Sequence, residues 1–160
     1  MSATRPATRA KAHLSLAIQT GERVGPWPVD RSQLRRWILA ALDVDACLTL
    51  RLVGRVEGRA LNLQWRGQDH ATNVLTFAYG GHPLQADLVL CLPVLRDEAR
   101  AQRKSLRDHL AHLVIHGTLH AQGHDHENDR DAAVMESLET LILRRFRIPD
   151  PYALGHTRAS

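Results

Sequence analysis

The stretch LRDHLAHLVIHGTLHAQGHDH, residues 106–126, carries six of the chain's ten histidines. Leu106, Leu110, Leu113, Val114, Gly117 and Ala121 recur at helical spacing and predict one long helix with a buried stripe. Ser105 stands where an N-cap belongs. His109, His112, His116 and His120 run along the strip beside that stripe, and packing alone does not ask for four imidazoles there. Gly123 ends the pattern, because a helix C-terminus commonly turns through a left-handed residue that glycine adopts cheaply.

Spacing selects among the histidines. Residues four apart on a helix rise by about 6 Å, so His116 and His120 can face one ion. His112 and His120 are about 12 Å apart along the axis and cannot easily share it. A turn at Gly123 brings His126 back, which gives His116, His120 and His126 in the pattern H-x-x-x-H-x-x-G-x-x-H. This is the spacing of the long zincin motif, except that the zincin glutamate falls on Gly117. The expected centre is therefore a zincin-like zinc site at the end of a helix, with one ion per chain. Three imidazoles leave a fourth position open, as in catalytic zinc sites, where the pKa of bound water falls to about 7. His109, His112 and His124 are expected to be bystanders, supporting groups or substrate contacts. Asp125 reads either as the partner of a ligand imidazole or as a cap for the acidic helix that follows. A fourth protein ligand is not evident, Cys91 and His109 being the nearest candidates.

Working outward, residues 13–19 and 47–53 alternate apolar and polar residues and predict strands. Residues 72–79 and 86–93 are apolar, bounded by Gly and Pro, and predict two more. Asp30 or Ser32 can cap a helix through LRRWILAAL, and a short helix is expected to end near Gly67. From Pro93 to about Phe146 the pattern is helical, with breaks near Lys104–Ser105 and at Gly123. Strands fill the first half and helices the second, so an α/β or α+β layer packing in one domain suits 160 residues. The first twelve residues, with Arg5, Arg9 and Lys11 and no acid, read as a basic tail rather than a transit peptide. Cys47 and Cys91 lack C-x-x-C spacing, which fits unpaired thiols in the cytoplasm. No apolar run approaches the roughly 20 residues of a membrane span.

The net charge of +4 and pI of 9.7 favour a polyanionic partner modestly. Arg51, Arg55, Arg59 and Arg66 crowd one segment, and Arg96, Arg100, Arg103, Lys104 and Arg107 another. The segment holding Asp125, Glu127, Asp129, Asp131, Glu136 and Glu139 is acidic, and the two signs are expected on different faces. Few aromatic residues are available for base stacking, so phosphate contacts are expected to outweigh sequence reading. Arg66 precedes Gly67 at the mouth of a loop. Its guanidinium suits a phosphate, and the plainer alternative is a surface ion pair with Asp69.

HLVIHGTLHAQGHDH followed by MESLE resembles the signature of the YbeY family of bacterial endoribonucleases. LNLQWRGQDHATNVLTFAY resembles a second block of that family, and ADLVLC, KSL and the late DPY also match, so the likeness covers roughly residues 45 to 152. The resemblance implies a small mixed four-stranded sheet packed between helices. It implies metal-dependent cleavage of single-stranded RNA, maturation of the 16S ribosomal RNA 3′ end, and ribosome quality control on the small subunit. It places zinc ligands on His116, His120 and His126 and a functional arginine on Arg66. The chain departs from the family pattern at Ala86, His124 and Thr76, none of them a ligand. Arg59, Arg103 and Lys104 are expected to draw the RNA in. Two rival readings are a zincin-type peptidase, which Gly117 opposes, and a ribosome-assembly protein that binds RNA without cutting it.

Overall fold

Alternating burial along four extended segments builds the sheet. The computed structural model describes residues 11–125 and 127–153, so most of the basic tail and His126 lie outside the described residues. The strands are β1 (Leu14–Thr20), β2 (Ala46–Val53), β3 (Val74–Gly80) and β4 (Leu84–Cys91). They lie in the order β1-β2-β4-β3. β1 runs parallel to β2 and β2 parallel to β4, while β3 is antiparallel to β4. Parallel neighbours need a crossover. Helix α1 (Arg31–Ala41) supplies the first, and α2 (Arg55–Arg66) together with β3 fills the second. Asp30 caps α1 by accepting from the Gln33 amide, as its place in the sequence predicts.

The sheet has helices on both faces. On one, Leu48, Leu50, Leu52, Leu88 and Leu90 pack with Leu34, Trp37 and Ile38 of α1. Leu110, Leu113 and Val114 of α4 (Leu106–Ala121) complete that core. On the other, a smaller cluster of Val53, Leu75, Val89 and Cys91 lies beneath Leu61 of α2. Helices α3 (Leu92–Ala101) and α5 (Asp129–Arg145) complete the chain order. The four strands and layered α/β packing are what the sequence pattern predicts, and the mixed sheet between helices is what the family resemblance implies.

Two local expectations change. α4 is not half-exposed: every residue from His109 to Leu119 is buried, because α1, α3, α5 and the sheet all pack against it. A helix covered on all sides has no polar face, so its histidines had to find partners inside the protein. The acidic helix α5 is capped by Asn128, whose side chain accepts from the Asp131 amide, and not by Asp125.

Candidate metal centre and its cleft

The buried histidines are organised by a residue that sequence reading placed on an acidic surface. Glu139 is fully buried. It sits in the inward stripe of α5, among Ala132, Met135, Ile142 and Leu143. His116 Nδ1 lies 2.5 Å from Glu139 Oε1 and His112 Nε2 lies 3.0 Å from Oε2. The Tyr152 hydroxyl donates to the same Oε2. Burial alone would raise the Glu139 carboxyl, but the hydrogen bonds from His112 and His116 outweigh it and hold the group at about 2. Burial keeps His112 below the ordinary histidine value, and burial beside the Glu139 anion pushes the Tyr152 phenol upward. The network is therefore a carboxylate that accepts from two imidazoles and a phenol. The available signal was an acid at the centre of an otherwise apolar helical stripe, inside the MESLE match.

His120 is held by a different acceptor: its Nδ1 lies 2.9 Å from the His124 carbonyl. That carbonyl arrives because Gly123, at φ +100°, turns the chain back after α4. The rings of His116 and His120 stack with centroids 6.4 Å apart and 8° between planes. With both Nδ1 atoms engaged by acceptors, the Nε2 atoms stand at the far side of two parallel rings. Metal-bound histidines have this arrangement, donating the second ring nitrogen to a carboxylate or carbonyl.

Both rings line a cleft of about 250 Å³, together with Asn62, Arg66, Gln68, His70, Thr72 and Thr76. Arg66 Nη2 donates to the Thr76 carbonyl at 2.8 Å, and the guanidinium lies 5.9 Å from the Phe77 ring centroid. The surface ion pair weighed for Arg66 is not formed with Asp69. Asp69 instead takes Arg59, through contacts of 2.6 and 2.9 Å. Asn62 pins the loop between by donating to the His70 carbonyl. The structure thus brings Arg66, His116 and His120 to one cleft.

The remaining predicted residues lie elsewhere. His126 lies outside the described residues. Arg59 is on the surface with Asp69. Arg103 and Lys104 line a second cavity of about 240 Å³ with Asp108, His112 and Asp150. Burial holds the Lys104 amine below its usual range, against the pull of Glu98 and Asp108. His109 Nε2 lies 3.0 Å from Glu98, and Cys91 is buried on the far face of the sheet, so neither lines the cleft. His112, His116 and Glu139 present ligand atoms within 4.8 Å of one another, a set that can hold a metal ion.

Gly117 explains the missing zincin glutamate. A Cβ there would stand 2.7 Å from Leu88 Cδ2 and 3.0 Å from its Cγ, with Thr76 Oγ1 at 3.3 Å. The helix is pressed against β4 at this point, and Leu88 has no exposed surface into which to move. Among the described residues, no carboxylate lines the cleft.

The family model for endoribonuclease YbeY matches residues 28–147. An endoribonuclease YbeY from Methylibium petroleiphilum is 51% identical over 145 residues, covering 90% of this chain and 97% of its own. One from Cupriavidus pinatubonensis is 49% identical over 149 residues, covering 90% and 74%. The solution structure of TM1509 from Thermotoga maritima matches with a TM-score of 0.53 at 24% identity, covering 89% of this chain and 99% of that one, a likeness of fold. The family match over residues 28–147, with relatives about half identical across most of the sequence, makes this chain a member of the endoribonuclease YbeY family.

Proposed function

We propose that this chain is a zinc-dependent endoribonuclease that cuts single-stranded RNA, acting in maturation of the 16S ribosomal RNA 3′ end and in quality control of the small ribosomal subunit. One observation carries the reading: two parallel imidazoles, each locked through Nδ1, share a cleft with an arginine. In this reading His116 and His120 hold the ion through Nε2, and His126 is the third ligand. Glu139 then orients His116 rather than binding the ion, since both of its oxygens are already engaged and it has no exposed surface. Zinc bound there would supply a Lewis acid for the phosphodiester and for an attacking oxygen.

The chain's own residues do the rest. Arg66 is fixed by the Thr76 carbonyl, so its remaining N–H groups can grip a phosphate and steady the charge that develops on it. Arg59, Arg103 and Lys104 add long-range attraction for the strand, which makes binding salt-sensitive. The Leu88 contact at Gly117 and the lack of a carboxylate lining the cleft among the described residues both weigh against a zincin-type peptidase. The free thiols Cys47 and Cys91 suit the cytoplasm, and no helix among the described residues is long and apolar enough to cross a membrane.

The test compares wild type, His116→Ala and Arg66→Ala on labelled single-stranded RNA and on a 16S precursor, with metal content measured. His116→Ala is expected to lose both metal and cutting. Arg66→Ala is expected to keep its metal and lose about 10²- to 10³-fold in kcat. Undiminished cleavage by metal-free protein would overturn the assignment.

A further inference from the structure

Among the Trp, Tyr and Phe residues described, two are exposed: one packs on Phe77 and the other is tethered to the residue paired with Phe77. Trp65 is 61% exposed and Tyr79 is 64% exposed, whereas Trp37 is fully buried. Trp65 meets Phe77 edge-on, with centroids 6.2 Å apart. The Tyr79 hydroxyl donates to Asp87 Oδ2 at 2.7 Å, and Asp87 is the residue paired with Phe77 across the β3–β4 register. The register shifts between Ala78 and Gly80, so Tyr79 is the extra residue of a bulge. Bulges re-aim side chains beside functional sites. Here the bulged residue is tethered to the strand position opposite Phe77.

These rings adjoin the cleft across one thin edge. β3 is the last strand of the sheet. Thr76 faces the cleft, and Phe77, the next residue, faces the other way. Arg66 spans the edge, bonding the Thr76 carbonyl while its guanidinium lies against the Phe77 ring. The arginine of the cleft and the exposed Trp65 ring thus share one support, Phe77.

We propose that Trp65 and Tyr79, backed by Phe77, form a base-stacking platform that holds the single-stranded RNA next to the cut. The inference rests on the RNA reading above and deepens it. Exposed rings flanking an arginine suit unpaired bases, since every base has a face to stack and the guanidinium takes the phosphate. Continuity with the cleft favours nucleic acid over a protein partner. Double-stranded RNA keeps its bases stacked on one another, so the platform also selects for single strands.

The test measures binding of a short, cleavage-resistant 2′-O-methyl oligonucleotide to the metal-loaded protein, and of the same oligonucleotide with abasic positions. Trp65→Ala is expected to weaken binding of the base-bearing strand about tenfold, with Tyr79→Ala in the same direction and Trp65→Phe retaining most of the affinity. Thermal melting checks that the variants stay folded. On the abasic strand the wild type is expected to bind as weakly as Trp65→Ala. Equal binding of the base-bearing strand by wild type and both alanine variants would overturn the platform, as would an equal penalty on the abasic strand. So would variants that keep RNA binding and cutting but lose association with small ribosomal subunits, which would assign the patch to a protein partner. A wild type that neither binds nor cuts RNA would sink the RNA reading itself; one that does both, with unaffected variants, sinks only the platform.

Discussion

Glu139 is the residue on which the interior of this protein turns. It is an anion with no exposed surface, stabilised by His112, His116 and Tyr152. Glu139→Gln keeps the shape but replaces one acceptor oxygen with a donor facing an imidazole. Zinc affinity is expected to fall about 10- to 100-fold, measured by competition with a chromophoric chelator, because the partner that orients His116 is weakened. The same carboxyl sets an acid limit on folding. Its folded pKa of about 2 lies below the ordinary 4.5, so its contribution is full above about pH 4.5 and is lost as pH falls toward 2. Burial lowers His112 too, which acts in the same direction, with stability falling as pH drops below about 6.5. Urea midpoints of metal-free protein are therefore expected to fall with acidification, and the curve for Glu139→Gln is expected to be flatter below pH 4.5. Nothing in the sequence marks Glu139 as different from Glu136 except its phase: it shares a helical stripe with Met135 and Ile142. Which acid is buried depends on where α5 lands, and α4 decides that.

At the scale of the element, α4 shows how packing overrides a pattern. Leucines and histidines read as adjacent strips, yet both are inside. The helix can lie so close to the sheet because position 117 lacks a side chain. Gly117→Ala is expected to cost about 1–3 kcal/mol by overpacking Leu88, read as a lower melting temperature. Gly117→Glu, which would restore the zincin base, is expected to destabilise more and to create no peptidase activity, checked with peptide substrates. Gly123 is a different case. A Cβ there meets nothing within 4 Å, so Gly123→Ala pays only for the positive φ, about 1–3 kcal/mol. Its larger effect is expected on metal affinity, since the turn at Gly123 delivers the carbonyl that holds His120. The glycine spacing made this turn legible in advance; the tight contact at Gly117 was not, because Leu88 lies on a distant strand.

At the scale of the whole molecule, a metal held as proposed by His116, His120 and His126 would tie α4 to the segment after Gly123, and its binding is expected to raise overall stability. A ligand that binds only the folded state adds about 4 kcal/mol at a thousandfold excess over Kd. Chelation is accordingly expected to lower Tm by several degrees in calorimetry, and the shift is expected to vanish in His120→Ala. A Tm that ignores the chelator in the wild type would remove the ion from the fold's stability. The order β1-β2-β4-β3 leaves β3 at an edge, beside α2, and so lets Arg66 reach the cleft from another element.

Period, capping and i, i+4 spacing are local properties of the chain, and from them alone follow the four strands, the helices, the turn at Gly123 and the pairing of His116 with His120. Packing between distant elements set the rest: Glu139 stands behind His116, Arg59 rather than Arg66 takes Asp69, and Trp65 packs on Phe77. Each of those depends on which side chains are brought together across elements distant in sequence, and no local pattern encodes that distance.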